Sequence, residues 1–220
     1  MIDRKNSARL AGVVGAAALT FGLLSTGAAN ADTFVPLPGG EIVKTLSDGS
    51  TVTVRLVNES ALISPSMGAT PVHRNTWVSG SAQVEVSGNA KGGKIYPGYV
   101  VGCQVNIDGG GVEGGAEAET DWEGEAGGGV ESGAELSLGP GQAKSFYLLD
   151  REGPDDYGNE DHSTNNKFKG KSGSVTWSDS TIGLSGCGGY AQARAFVKVK
   201  VETENISSTV TLWGQPFSLG

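Results

Sequence analysis

Between Lys94 and Lys144 the sequence holds no lysine, arginine or histidine, and every charge in that interval is negative. Strands send alternate side chains to opposite faces, and the stretch Gln104 to Leu138 keeps that two-residue rhythm. Val101, Cys103, Val105 and Ile107 alternate with Gln104, Asn106 and Asp108. After the glycine triplet 109–111 the small or apolar residues are Val112, Gly114, Ala116 and Ala118, opposed by Glu113, Glu117, Glu119 and Asp121. A one-residue bulge in the triplet restores the facing, with Asp108 and Glu113 on one side and Ile107 and Val112 on the other. Past a turn at 122–124, Glu125, Glu131 and Glu135 alternate with Val130, Ala134, Leu136 and Leu138. The pattern predicts a long hairpin with one acidic and one thinly apolar face. Its plain alternative is a solvated, glycine-rich acidic loop.

A two-stranded hairpin with like charges across its strands is not stable alone in water. Arms of about fourteen residues reach over about 40 Å at about 3.3 Å per residue, and a tilted strand crosses a bilayer core with about 9 to 11 residues. Copies closed into a barrel, with the acids lining a lumen, would satisfy every backbone edge and solvate every carboxylate.

The chain opens with Arg4, Lys5 and Arg9, an apolar run from Leu10 to Leu24 and then Ala29-Asn30-Ala31, the form of a secretory signal cleaved after Ala31. Residues 32–220 then make one domain, with 32–103 and 139–220 as its body and 104–138 as the inserted hairpin. The whole chain carries a net charge of -8, and loss of the basic leader makes the remainder more acidic. That excludes nucleic acid as a partner and favours cations. Cys103 and Cys187 are the two cysteines; in an oxidising compartment they are expected to pair, contributing on the order of 4 kcal/mol across so long a loop. Zinc is the weaker reading, because two distant cysteines and two scattered histidines lack ligand spacing.

The body reads as short strands punctuated by turns. Thr51–Val57, Thr76–Val86 (one bent or two short strands about Gly80), Lys94–Ile107, Gln142–Leu149, Ala191–Glu202 and Thr209–Trp213 have strand composition. Thr176-Trp177 and Ile182–Leu184 read as a further pair, Asp48-Gly49 as a tight turn, 59–71 as a loop or short helix, and 150–166 as a polar loop. Trp77 is expected in the core. Nothing keeps a helical period over three turns, so the fold class is all-β: a β-sandwich with an inserted long hairpin that contributes to an oligomeric transmembrane β-barrel.

No catalytic constellation stands out. His73 and His162 are the only imidazoles, no serine or cysteine sits in a G-x-S-x-G elbow, and the acids of 150–166 do not keep the register of an EF-hand loop. Acids alternating along one face suit a field better than an acid/base pair, which needs two different environments. No enzyme activity, cofactor or metal is expected.

Several ordered blocks carry a family likeness: Arg74-Asn75-Thr76-Trp77-Val78-Ser79-Gly80, Tyr96-Pro97-Gly98-Tyr99-Val100-Val101-Gly102-Cys103, Gly186-Cys187-Gly188-Gly189-Tyr190-Ala191-Gln192-Ala193-Arg194, and Trp213-Gly214-Gln215-Pro216-Phe217-Ser218. Over essentially the whole mature chain the sequence resembles the MspA-type porins of mycolic-acid bacteria. The resemblance implies a goblet-shaped homo-octamer in the outer membrane, in contact with its lipid, with soluble sandwiches at the rim and one hairpin per subunit in a shared stem. It implies diffusion of small hydrophilic solutes and cations past rings of acids near the hairpin tips. Those positions here are Glu117, Glu119, Asp121, Glu123 and Glu125, with Asn106, Asp108, Glu113, Glu131 and Glu135 along the upper lumen. The rival reading is a secreted or surface-attached sandwich that binds through its acidic segment and forms no pore.

Overall fold

In the computed structural model the described residues are 32–65, 72–105, 107, 135–136, 141–154, 157 and 160–220. They form thirteen strands: β1 Thr33–Pro36, β2 Gly40–Thr45, β3 Thr51–Pro65, β4 Arg74–Val86, β5 Ala90–Cys103, β6 Glu135–Leu136, β7 Ala143–Tyr147, β8 Arg151–Pro154, β9 Glu160–Ser163, β10 Asn166–Lys169, β11 Ser172–Leu184, β12 Ala191–Thr203 and β13 Ser207–Ser218. No helix occurs among the described residues.

Two sheets face each other. The first runs β3-β4-β11-β6, with β1 and β2 sharing the free edge of β3. The second runs β5-β12-β13, and β10 and β7 share the other edge of β5, at Gly92–Ile95 and Gly98–Gly102. Period-two alternation puts one face of each strand inside. Along β12, Ala191, Ala193, Ala195, Val197, Val199 and Val201 are buried while Gln192, Arg194 and Lys200 are exposed. Val54, Leu56, Val78 and Val84 from the first sheet join Ile95, Tyr99, Val101 and Val210 from the second in one core. Each full burial of a side chain of that size contributes about 1.5–3 kcal/mol. At the predicted Asp48-Gly49 turn, the Leu46 N–H donates to the Ser50 carbonyl (2.8 Å) and the Gly49 N–H to Leu46 (3.0 Å); Gly49 has φ +81°, a conformation that suits glycine.

Several expectations are corrected. The segment beginning at Glu59 is not a loop or helix: β3 continues to Pro65. Its register on β4 shifts between Val57 and Ser60, and Asn58 sits at φ +54°. Likewise Thr176-Trp177 and Ile182–Leu184 are not two strands. They belong to β11, whose register on β4 shifts between Trp177 and Ser180, with Asp179 at φ +52°. Both bulges reverse the inside-outside parity, so a strict period-two reading ends each strand early. Trp77 is half-buried on the outer face between the inward Thr76 and Val78, whereas Trp177 is in the core. The supposed loop 150–166 contains the β8–β9 hairpin, paired from Arg151↔Ser163 to Pro154↔Glu160.

Candidate functional site

The acidic insertion departs from the sandwich after β5, and its two roots are held by the end of β11 and the connection from β11 to β12. On the outgoing side the Gln104 N–H donates to the Tyr190 carbonyl (2.9 Å), the Gly188 N–H to Val105 (2.9 Å) and the Ile107 N–H to Gly186 (2.8 Å). On the return side Glu135 and Leu136 pair in parallel with Gly183 and Leu184, so that leg meets the sandwich already at Glu135, ahead of 139. The Gly141 N–H then donates to the Cys103 carbonyl (3.2 Å), which brings the ends of the insertion side by side.

The Cys103–Cys187 disulfide locks this root, with Cα atoms 5.9 Å apart, inside the span such a bridge requires. Cys187 lies in the β11–β12 connection, three residues short of Tyr190 and not at the head of a strand, and its N–H donates to the Val72 carbonyl (2.8 Å). Gly188 and Gly189 lie in close approach to the outgoing leg. A Cβ on Gly188 would lie 2.9 Å from Ile107 Cγ2, and one on Gly189 would lie 3.2 Å from the Val105 nitrogen. A groove of about 760 Å³ runs from the root along the outer face of β12 and β13, lined by Gln104, Gln142, Tyr190, Gln192, Arg194 and Trp213. Arg194 lies over the Trp213 ring, 5.3 Å from its centroid, and its Nε donates to the Gly214 carbonyl (2.8 Å).

Of the acidic and polar positions expected in the lumen, the structure describes the backbone of Glu135 alone. Asn106, Asp108, Glu113, Glu117, Glu119, Asp121, Glu123, Glu125 and Glu131, with the bulge expected at 109–111, lie outside the described residues. Sequence reading missed the platform Gly183–Tyr190; its glycine density at 186, 188 and 189 was the available signal.

Among the described residues one group gathers metal-ligand atoms. Asp150, Glu152 and His162 offer three within 4.8 Å of one another. They are spread over the β8–β9 hairpin, where the register sets Glu152 opposite His162, and His162 Nδ1 is 2.8 Å from Asp150 Oδ1. The hydrogen bond between His162 and Asp150 at a solvated hairpin accounts for this arrangement.

These features define a class: a β-sandwich that presents, from one disulfide-locked end, a long and wholly acidic insertion between two strands of the same sheet. The chain belongs to the MspA family of porins, whose family model matches residues 48–218, more than half of its length. No curated protein matches it.

Proposed function

We propose that this protein is an outer-membrane porin. It is exported by residues 1–31 and assembles as a homo-oligomer, an octamer by family likeness. Each subunit gives residues 104–138 to a shared, lipid-embedded barrel. Glu117, Glu119, Asp121, Glu123 and Glu125 form carboxylate rings around the narrow part of the lumen, and Asn106, Asp108, Glu113, Glu131 and Glu135 line the lumen above them. Rings of one sign concentrate cations and repel anions, so small polar solutes and cations diffuse through with no catalytic residue and no cofactor. The observation that carries this reading is the paired root: both legs of an uncationic segment meet the platform 183–190 side by side, as the legs of a hairpin must.

The test is planar-bilayer conductance of the detergent-extracted, unboiled oligomer. Cation-selective channels are expected at neutral pH, with the preference fading as pH falls toward the carboxylate range near about 4. Converting Glu117, Glu119, Glu123 and Glu125 to Gln and Asp121 to Asn should abolish the preference and leave the oligomer intact, since lumen changes tune selectivity. Absence of conductance favours the secreted binding protein, and anion preference removes the acidic segment from the pore lining.

A further inference from the structure

At the centre of the sandwich two bulges flank one strand at one level. On β3, Asn58 interrupts the pairing between Val57↔Ser81 and Ser60↔Ser79; on β11, Asp179 interrupts it between Trp177↔Gly80 and Ser180↔Val78. The Asp179 N–H donates to the Ser79 hydroxyl (3.0 Å), which ties the second bulge to β4. The outcome of the first is that Glu59, and not Asn58 or Ser60 on either side of it, turns inward: it is 2 % exposed. Just before the second, the register sets Trp177 opposite Gly80 and its indole lies across that glycine, where a Cβ would be 2.6 Å from the ring. From the opposite sheet Gly214 comes so near that its Cβ would lie 3.0 Å from Glu59 Oε2 and 3.2 Å from the Ala195 methyl. Bulges that re-aim a side chain are features a fold retains, and here small residues on three strands make the room.

Glu59 is a carboxyl group in an apolar core. Its two oxygens, the Tyr99 hydroxyl and the Trp177 Nε1 are all buried without a protein partner in hydrogen-bond geometry. At its level the neighbouring strands place Gly80 on β4, Trp177 on β11, Tyr99 on β5, Ala195 on β12 and Gly214 on β13. Tyr99 is the one titratable group among them. Arg194 on β12 is turned outward onto Trp213 and the Gly214 carbonyl, and Arg55 on β3 outward onto Glu41 and Glu85.

We propose that Glu59 is a proton-operated latch at the centre of the sandwich: as the neutral acid it packs the two sheets together, and its ionisation loosens them. An unpaired carboxylate in such a place costs several kcal/mol, so the group keeps its proton instead. Burial alone pushes Glu59 up to about 7 from an ordinary 4.5. Burial, and then the Glu59 charge, push the Tyr99 phenol up as well, and the nearby Trp177 N–H offsets part of that. Below the unfolded value of 4.5 both states hold the proton, and the neutral group exacts no ionisation cost. From there to about 7 the folded state alone holds it, so stability falls as pH rises and levels off above about 7. The sandwich is therefore firmer in mild acid, the reverse of the usual effect of buried or paired carboxylates that stay ionised.

The experiment compares the purified full protein with Glu59→Gln, which keeps the shape and cannot ionise. Urea midpoints are read across about pH 5 to 8, and the infrared carbonyl stretch of protonated carboxyls is read near about pH 6. The wild-type folding constant is expected to drop on the order of 100-fold relative to the variant over that range, and the wild type should show a protonated carbonyl that the variant lacks. Should Glu59→Gln fail to fold, Glu59→Met, apolar and of equal length, gives the same comparison. A difference that does not change with pH, or a carbonyl spectrum unaltered by the substitution, overturns the proposal. Neither result depends on whether the protein conducts ions.

Discussion

At one end of the sandwich the chain turns back at once. Leu46 bonds Ser50, Thr203 bonds Ile206, and the Thr203 hydroxyl donates to Asp48 (2.7 Å) to join the two turns. At the other end the acidic insertion departs after β5, and the ties join residues far apart: a disulfide across 84 positions and the Arg74 Nε donated to the Gly220 carbonyl across 146. Short turns carry little loop-closure entropy, so local hydrogen bonds suffice. Where long segments depart, cross-links between distant parts are needed to keep their roots together. One end should therefore respond to reduction and truncation, the other to protonation of Asp48.

The largest effect should come from the disulfide. Cys103→Ser with Cys187→Ser is expected to lose about 4 kcal/mol in urea unfolding and to lower oligomer yield; equal stability with and without reductant would erase the contrast between the ends. Next is Gly188→Val, whose Cβ meets Ile107 at 2.9 Å. Overpacking of this kind costs about 1–3 kcal/mol, and limited proteolysis should begin at the root and spare the turns. Arg74→Ala removes a hydrogen bond from a charged group to the Gly220 carbonyl and should cost about 1.5 kcal/mol, with faster amide exchange at the C-terminus than at Leu46 or Ser50. If exchange rises at both ends alike, the ends are not independent.

The smallest effect belongs to Asp48. The Thr203 hydroxyl and the Ser50 N–H donate to it, and these bonds hold its carboxyl below the usual range. A depressed folded value means stability present above the unfolded value near about 4 and lost as pH falls through the folded one. Asp48→Asn should flatten the acid limb of a melting-temperature profile slightly and leave the disulfide end unchanged; an unaltered acid limb would show that the turn end does not sense protons.

Much of this architecture was legible residue by residue. The alternation in Ala191–Glu202 gave β12 and its inner face, Asp48-Gly49 gave its turn, and two cysteines behind an export-like leader gave the observed bridge. The run of acids was legible as an insertion, and the glycines of the platform were visible without their purpose. What broke the reading was register. Alternation is a property of one strand, while a bulge is decided by the partner strand, so Asn58 and Asp179 looked like strand ends.

The sequence by itself determined the all-β class, the acidic insertion and the family, because period-two patterning, charge sign and ordered motifs are written along one chain. Only the tertiary structure decided that Trp177 and not Trp77 fills the core, that Glu59 faces inward, and that Glu135 and Leu136 lie against β11. Each of those depends on which strand lies beside which and on the space that Gly80 and Gly214 leave, and contacts between residues far apart in sequence have no signature in any one segment.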